Sequence, residues 1–229
     1  MTIEQKYVFI GHLSQIVLEW AEHICVHDPK YYRGSVSTLY FDTTSLDHYY
    51  EKRNSDYLKT KLRLRWYDDV DILDRGVMVR CYLEAKRKHG VSRTKERKEM
   101  LFSSGSLRDG LFSDAGIQNA PSRACELDYV PAGILVPILL VQYERHRFVE
   151  PRSGSRVAVD TNIRCTQVNP AFIPRLPPVF LDAGVLEVKG PHRELPGSFH
   201  AIGAHLTAEA FSKYTMCCEH LMQPLGRRI

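Results

Sequence analysis

The sequence lacks a long hydrophobic run. Its longest nearly uninterrupted apolar stretch extends from Gly133 to Val141, whereas a membrane-spanning helix needs roughly 18–20 such residues. The first residues, Met1 to Lys6, carry charge where a secretory signal would have an apolar segment. We therefore expect no membrane span in this chain and a cytoplasmic location.

Glycine-rich phosphate-binding motifs are also missing. Neither G-x-x-x-x-G-K-[S/T] nor G-x-G-x-x-G occurs, so side chains would have to hold any bound phosphate. The six cysteines are scattered and form no C-x-x-C pair, which favours buried reduced thiols. Because no Gly-, Pro- or Ser-rich stretch is long enough to separate two domains, we expect a single domain over residues 1–229.

The composition is ordinary for a folded protein. The 229 residues are 44% hydrophobic, 25% charged and 10% aromatic, which excludes a disordered chain. Lysine and arginine number 31 against 27 acidic residues, a formal charge of +4. So modest an excess says little about binding partners, and the placement of the charges along the chain matters more.

Period-two alternation of apolar and polar residues dominates the chain and predicts strands. The predicted strands are Glu4–Ile10, Ser35–Phe41, Thr60–Tyr67, Val77–Lys88, Ser92–Met100, Leu139–Val149, Ser155–Ile163 and Val179–Lys189. Helices are predicted at His12–Cys25, Leu46–Lys52 and Phe199–Leu221, with a helical insertion at Ser103–Pro137. Strand–helix–strand repeats are absent. The expected fold class is therefore α+β, mostly antiparallel β: a single closed, tunnel-like β-barrel of about eight strands with helices packed outside.

Several predicted strands carry stripes of basic residues. Side chains two apart on a strand share a face, so Lys61, Arg63 and Arg65 lie together while Leu62 and Leu64 face the other way. Similar stripes are Glu84, Lys86 and Lys88; Lys95 and Arg97; Tyr143, Arg145 and Arg147; Glu187 and Lys189; Glu4 and Lys6. Bases outnumber acids in these stripes, and like charges on neighbouring strands repel one another.

The residues between the charged positions decide which way the stripes face. These residues, Tyr82, Leu83, Val141 and Leu186 among them, are apolar enough to pack against outer helices, so the stripes are expected to point inward. Burying unpaired charges costs several kcal/mol, which predicts a wet lumen holding a polyanion such as a triphosphate or a longer phosphate chain.

Acidic residues among the bases have two possible roles. The glutamates of the stripes, Glu4, Glu84 and Glu187, are candidate ligands for Mg²⁺ or Mn²⁺, which bridges carboxylates to phosphate oxygens. For Glu84, an ion pair with a neighbouring lysine is an equal alternative. Asp160 is expected to orient Arg145 or Arg147 across the sheet.

Motifs in a fixed order along nearly the whole chain resemble one known family. They are Glu4-x-Lys6-Tyr7, Leu39-Tyr40-Phe41-Asp42-Thr43, Lys61-x-Arg63-x-Arg65-Trp66-Tyr67, Leu83-Glu84-x-Lys86-x-Lys88, Tyr143-x-Arg145, Asp160-x-Asn162, Leu186-Glu187-x-Lys189 and Ser212-Lys213-Tyr214. This series is similar to the VTC domain, the polyphosphate polymerase branch of the triphosphate tunnel metalloenzymes in the CYTH-like superfamily.

The resemblance implies a metal-dependent phosphotransferase that moves the γ-phosphoryl group of ATP onto a growing inorganic polyphosphate, releasing ADP. It implies that Tyr143 and Ser212 donate hydrogen bonds to substrate and that Glu187 holds Mn²⁺ or Mg²⁺. The residues that would grip phosphates during catalysis are Lys6, Arg63, Arg65, Lys86, Lys95, Arg145 and Lys213. The stripes add further substrate-binding candidates: Lys61, Lys88, Arg97, Arg147 and Lys189.

One departure from the family pattern keeps alternatives open. Tunnel triphosphatases begin with E-x-E-x-K, whereas this chain has Thr2-x-Glu4-x-Lys6. A triphosphatase and a non-catalytic polyphosphate or nucleotide binder are therefore the competing predictions. The expected partners are ATP and polyphosphate. Nucleic acid is not expected because the basic stripes carry few stacking aromatics, and the resemblance favours a stand-alone catalytic domain.

Overall fold

Alternating apolar and charged residues form the strands of one antiparallel sheet in the computed structural model, which describes residues 2–90, 92–173 and 178–222. The strands are β1 Ile3–Ile10, β2 Val26–His27, β3 Arg33–Thr43, β4 Leu58–Trp66, β5 Met78–His89, β6 Ser92–Ser103, β7 Leu135–Val149, β8 Arg156–Val168, β9 Val179–Phe180, β10 Ala183–Gly190 and β11 Thr207–Ala208.

The helices are short. They are α1 Ser14–Ile24, α2 Asp47–Arg53, α3 Ser104–Arg108, α4 Ala115–Asn119 and α5 Lys213–Met222, with 3₁₀ helices at Gly11–Leu13, Ala120–Leu127 and Gly197–His205. Side-chain caps start two of them: Ser103 accepts from the backbone N–H of Ser106 before α3, and Asp114 accepts from that of Ile117 before α4. The predicted helical insertion is thus built from several short helices.

The chain divides into two compact units, which are interleaved in sequence. Unit 1 contains Met1–Ser35, Gln142–Arg164 and Phe180–Met216. Unit 2 contains Val36–Val141, Cys165–Val179 and Cys217–Ile229.

In unit 1 the strand order is β11-β1-β10-β8-β7, and β2 pairs with β7. Helix α1 and the 3₁₀ helix Gly197–His205 cover the apolar face of these strands. The buried apolar residues of this core are Tyr7, Phe9, Val17, Ala21, Cys25, Phe148, Val157, Val159, Leu186, Val188, Phe199 and Ile202. The alternating positions of β1 and β10, such as Lys6 and Glu187, therefore lie on the opposite face.

In unit 2 the strand order is β7-β3-β4-β5-β6. The apolar sides of β4 and β5 are buried beneath the segment that contains α3, α4 and the 3₁₀ helix Ala120–Leu127. Residues of this core with almost no exposed surface include Leu39, Phe41, Leu62, Leu64, Trp66, Leu83, Leu107, Ile117 and Ala124. In both units, apolar side chains face helices and the charged stripes lie on the other side of the strands, as the alternation predicts.

The predicted closed barrel is wrong. The path of paired strands begins at β11 and ends at β6, and the sheet of eleven strands is not closed within the described residues. Both end strands discourage further pairing: β11 has only two residues, and β6 exposes charged side chains such as Arg93 and Arg97. Short or charged edges of this kind let a sheet remain open.

Two predicted elements are each divided in the structure. The predicted helix Phe199–Leu221 is interrupted because Thr207 and Ala208 pair with β1, and the backbone N–H of Glu209 donates to the carbonyl of Lys6. The predicted strand Val179–Lys189 is two strands, β9 and β10. Backbone pairing with distant strands decides both outcomes, and local periodicity does not report it.

Two sequence expectations concern membrane spans and thiols. In the parts of the chain that the structure describes, every helix is too short or too polar to cross a lipid bilayer. Cys125 is exposed, whereas Cys25, Cys81, Cys165, Cys217 and Cys218 are buried, as expected for reduced thiols.

Replacing Leu64 by alanine should destabilise unit 2. Leu64 is fully buried, and removing a buried leucine side chain loses its transfer free energy and leaves a cavity, at a cost of about 2–5 kcal/mol. Urea unfolding measures this loss. The control is Leu101→Ala on β6, where the side chain is 57% exposed and the expected change is within about 0.5 kcal/mol. Equal changes in both variants would contradict the burial pattern.

Candidate functional site

Three neighbouring strands of unit 2 align their cations in rows. The register places Lys61 opposite Lys86 and Lys86 opposite Lys95. A second row across β4, β5 and β6 contains Lys59, Lys88 and Arg93. A third row contains Arg63, Glu84 and Arg97 and so includes one acidic residue. Directly opposite residues share a face with Cβ atoms about 4.5–5.5 Å apart. The face opposite the unit 2 core, which we call the cationic face, is therefore strongly positive.

Glu84 is the acidic centre of the cationic face. Its side chain is 1% exposed. Arg63 donates from Nε to Oε2 at 2.9 Å and its Nη2 lies 2.7 Å from the same oxygen. Lys95 Nζ lies 2.5 Å from Oε1, and Arg65 Nη1 lies 3.7 Å from Oε2. Of the two roles left open for Glu84, the structure shows the ion pair.

The three cations change the acidity of Glu84. Burial alone would raise the pKa of this carboxyl, but Arg63, Arg65 and Lys95 together lower it from 4.5 to about 2. The side chain is therefore ionised at neutral pH, and the ion pairs compensate its burial.

Sequence analysis assigned one further side chain of the cationic face, Tyr82, to the wrong side of its strand and did not predict another, Thr38. Tyr82 was assigned to the apolar side, but it lies between Arg65 and Glu99 in the cross-strand register, on the charged side. Thr38 on β3 lies opposite Arg65 and accepts a hydrogen bond from its Nε at 3.2 Å. Thr38 was not predicted because its role depends on the pairing of β3 with β4, which has no local signal.

In unit 1 a second buried carboxylate collects cations. Asp160 on β8 is fully buried. Arg145 on β7 donates to it from Nε at 2.5 Å and from Nη2 at 2.7 Å, and Lys213 Nζ donates at 2.6 Å. Of the two arginines expected to pair with Asp160, the one that does so in the structure is Arg145. Arg147 instead donates to the backbone carbonyl of Tyr31 at 3.1 Å.

Tyr143 and Ser212 flank this second cluster. The ammonium of Lys213 lies 4.4 Å, and the guanidinium carbon of Arg145 5.4 Å, from the centre of the Tyr143 ring, within the range of cation–π attraction. The hydroxyl of Ser212 accepts from the backbone N–H of Thr215 at 3.3 Å and from its hydroxyl at 3.0 Å. Ser212 therefore helps to start α5 and to hold Lys213.

A ladder of alternating charges on β1 and β10 lies in the same unit. The register pairs Glu4 with Lys189 and Lys6 with Glu187. Lys189 Nζ lies 2.7 Å from Glu187 and 3.6 Å from Glu4. Lys6 donates to the carbonyl of Phe211 at 3.2 Å and lies 4.0 Å from Glu4. The carbonyl of Phe211 was missed because a backbone acceptor leaves no trace in the sequence.

The ion pairs of unit 1 hold its carboxylates in the charged form. Burial would raise the pKa of Asp160, but Arg145 and Lys213 lower it to about 2. For Glu187, burial is again opposed, here by Arg145, Lys6 and Lys189, and its pKa lies well below the usual value. Arg145 Nη2 is 3.6 Å from Glu187, so this guanidinium lies between two carboxylates.

The structure shows what compensates the charge of the basic side chains. The bases were expected to need an anion in a closed lumen, but the sheet is open and the buried carboxylates Glu84, Asp160 and Glu187 already compensate many of them. The structure gathers Arg63, Arg65 and Lys95 around Glu84. The register brings Lys61, Lys86, Lys88 and Arg97 to the same face of unit 2, whereas Lys6, Arg145, Lys189 and Lys213 belong to the clusters of unit 1.

Comparison with known families connects this geometry to a class of proteins. The profile of the VTC domain matches residues 2–222. The chain belongs to the VTC domain family. Membership supports an enzyme-type role in nucleotide- and phosphate-related chemistry.

Solved structures with a similar arrangement are remote in sequence. A candidate adenylate cyclase from Bacillus halodurans has 14% identity and a TM-score of 0.46, with 84% of this chain and 81% of that chain covered. Another from Vibrio parahaemolyticus has 13% identity and a TM-score of 0.47, with 95% and 97% covered. The PH1012 protein from Pyrococcus horikoshii has 11% identity and a TM-score of 0.35, with 89% and 87% covered. No curated protein matches the sequence significantly.

VTC domains generally depend on a divalent metal, and two glutamates of this VTC domain fit such an ion. Glu4 and Glu187 both lie close to the ammonium of Lys189, so a cation is already accommodated next to both carboxylates. Mg²⁺ and ions like it are commonly bound by one or two carboxylates together with substrate phosphates. Glu84 fits less well because its side chain is only 1% exposed, whereas that of Glu187 is 9% and that of Glu4 is 19% exposed. The described residues contain no group of three or more His, Cys, Asp or Glu placed for a metal.

The Glu84→Gln variant of this VTC domain should lose stability in a pH-dependent way. Because the folded state lowers the pKa of Glu84 from 4.5 to about 2, its stabilisation is fully present above about pH 4.5 and is lost as the pH falls through about 2. The shift corresponds to about 3 kcal/mol. Urea unfolding at several pH values should therefore show a weaker fall in stability over this window for the variant. A slope equal to that of the wild type would contradict the prediction.

The matched control for this experiment is Glu96→Gln. Glu96 lies on β6 and pairs with Arg87 at 3.1 Å, with both side chains about one third exposed. An exposed pair contributes roughly 0–1 kcal/mol, so the control should change the free energy of unfolding at pH 7 by less than about 1 kcal/mol.

Proposed function

We propose that this VTC domain is a metal-dependent polyphosphate polymerase, which transfers the γ-phosphoryl group of ATP to the end of an inorganic polyphosphate chain and releases ADP. The observation that carries the proposal is the alignment of Lys61, Lys86 and Lys95 across three paired strands, beside the row Arg63, Glu84 and Arg97. Residues directly opposite one another on neighbouring strands lie only about 4.5–5.5 Å apart at Cβ, so this row offers several ammonium groups to one bound polyanion.

The chemistry of the cationic face suits phosphoryl groups. Arginine offers five N–H donors in a planar fork, more than one carboxylate oxygen can accept, so a guanidinium that holds Glu84 can also bind a phosphoryl oxygen. The lysines add compact charges that suit a flexible chain of phosphates. In unit 1, Asp160 fixes the direction of Arg145 and Lys213, which prepares a second pair of donors before substrate binds.

The state of the carboxylates favours transfer to phosphate over transfer to water. Glu84 and Asp160 have pKa values lowered to about 2, and that of Glu187 is lowered well below its usual value. Carboxylates with such values are weak general bases. A terminal phosphate oxygen is already ionised at neutral pH and needs no base to attack. A hydrolase would need another base or a bound metal to activate water. Because basic side chains engage Glu84, Asp160 and Glu187, the polymerase, whose nucleophile needs no base, is the reaction that we favour.

Glu4 and Glu187 are the residues that would hold the divalent ion. When bound, Mn²⁺ or Mg²⁺ supplies charge neutralisation at phosphate oxygens. The chain itself contributes binding and orientation: Arg63, Arg65 and Lys95 act in unit 2, and Arg145 and Lys213 act in unit 1. Phosphoryl transfer requires little more from a protein than positioning and electrostatic stabilisation.

The purified protein should convert ATP into ADP and polyphosphate when Mn²⁺ or Mg²⁺ is present. Gel analysis of long-chain phosphate, together with quantification of ADP and free phosphate, measures this reaction. Polymer and ADP appearing together would support the proposal. Free phosphate without polymer would identify a triphosphatase instead, and tight ATP binding without turnover would identify a non-catalytic binder.

Neighbouring residues of β5 offer a matched pair of variants for the same assay. Lys86 lies on the cationic face, whereas Arg87 lies on the opposite face and pairs with Glu96. A charged hydrogen bond contributes about 1.5–3 kcal/mol, so Lys86→Ala should lower kcat/KM by roughly ten- to hundredfold. Arg87→Ala should leave kcat/KM near the wild-type value. Equal losses in the two variants would contradict the assignment of the cationic face.

Tripolyphosphate should raise the melting temperature of the protein even without turnover. A ligand at 100 times its Kd stabilises the folded state by about 2.7 kcal/mol, which for a chain of this size is about 5–10 °C. Lys86→Ala should show a smaller rise than Arg87→Ala at the same ligand concentration. An unchanged melting temperature in the wild type would argue against phosphate binding altogether.

A further inference from the structure

An aromatic group lies within the cationic face of unit 2. Tyr82 occupies the row next to Arg63, Glu84 and Arg97, directly between Arg65 and Glu99 in the register. The guanidinium carbon of Arg97 lies 4.9 Å from the centre of the Tyr82 ring. The ring of Tyr67, just after the end of β4, lies 6.2 Å away and meets Tyr82 edge to face at 61°.

This group is accessible. The side chain of Tyr67 is 42% exposed, and Tyr82 is partly exposed. Both tyrosines and Arg97 belong to unit 2, as do the cations beside them. Tyrosine rings and guanidinium planes are the surfaces on which nucleobases stack, and a tyrosine side chain is rigid enough to lose little conformational freedom on binding.

The position of the group relative to the cations matches the layout of a nucleotide. Rows on a strand that are two residues apart are separated by about 6.6–6.8 Å. Moving from Tyr82 along β5, the next row contains Arg63, Glu84 and Arg97, in which Glu84 is buried and paired with Arg63, and the row after it contains Lys61, Lys86 and Lys95. In ATP the ribose separates the base from its phosphates, so a base at Tyr82 would direct the phosphates along these rows.

We propose that Tyr82, with Tyr67 and the guanidinium of Arg97, forms the subsite on which the purine base of ATP stacks. This inference rests on the proposed function, because it assumes that the neighbouring cations bind the phosphates of the same nucleotide. It assigns the recognition of the nucleoside to the aromatic group and the recognition of the phosphates to the rows of lysine and arginine.

The test compares ATP with inorganic tripolyphosphate, which has the phosphates and lacks the base. Tyr82→Leu should weaken ATP binding by about tenfold, since stacking on an aromatic ring contributes about 1–3 kcal/mol per base. The same variant should bind tripolyphosphate as tightly as the wild type does. Tyr82→Phe keeps the ring and should retain wild-type ATP affinity. Isothermal titration calorimetry measures each affinity.

The matched control is Tyr50→Leu, because Tyr50 on α2 is 44% exposed and lies outside the cationic face. It should bind both ligands as the wild type does. Unchanged ATP affinity in Tyr82→Leu, or an equal loss for ATP and tripolyphosphate, would overturn the stacking subsite alone. Failure of wild-type protein to bind tripolyphosphate would overturn the proposed phosphate site and, with it, this inference.

Discussion

The buried carboxylate of Glu84 holds three cations close together, and the charged side of unit 2 depends on this interaction. Arg63, Arg65 and Lys95 come from two strands that have no sequence proximity, and each lies within 3.7 Å of one carboxyl group. Without an anion at this point, the aligned bases of β4, β5 and β6 would repel one another. In the function that we propose, this arrangement would hold the cations in place before substrate binds and would so lower the cost of ordering them.

Unit 1 uses the same principle with a different acid. Asp160 fixes Arg145 in a bidentate pair and also accepts from Lys213, while Glu187 compensates Lys189. In both units the carboxylates are strongly ionised and the apolar side of the strands is sealed by helices. Ion pairs of this kind are expensive to bury and contribute little net stability. In both units these ion pairs gather two or more basic side chains around one buried carboxylate.

The sequence predicted some segments of the chain correctly and others wrongly. The alternation in Lys61-Leu62-Arg63-Leu64 predicted correctly which side chains face the core, since a strand has a fixed period of two. Tyr82 was assigned to the apolar side because of its ring, although it lies two residues before Glu84 and the same period of two places both side chains on the charged face. The segment Phe199–Leu221 has helical periodicity, yet two of its residues pair with β1. The closure of the sheet was predicted from the number of strands and the absence of strand–helix–strand repeats, and the unpaired edges of β6 and β11 in the described residues overturned it.

The amino-acid sequence by itself determined most of the longer strands, the two faces of these strands and the excess of bases on one face, because these follow from local periodicity and side-chain chemistry. Only the tertiary structure decided which acid neutralises which base. Glu84 meets Arg63 through the pairing of β4 with β5, and Asp160 meets Lys213 across a sequence separation of 53 residues. Such partners are chosen by strand register and by the geometry of distant segments, which no local pattern encodes.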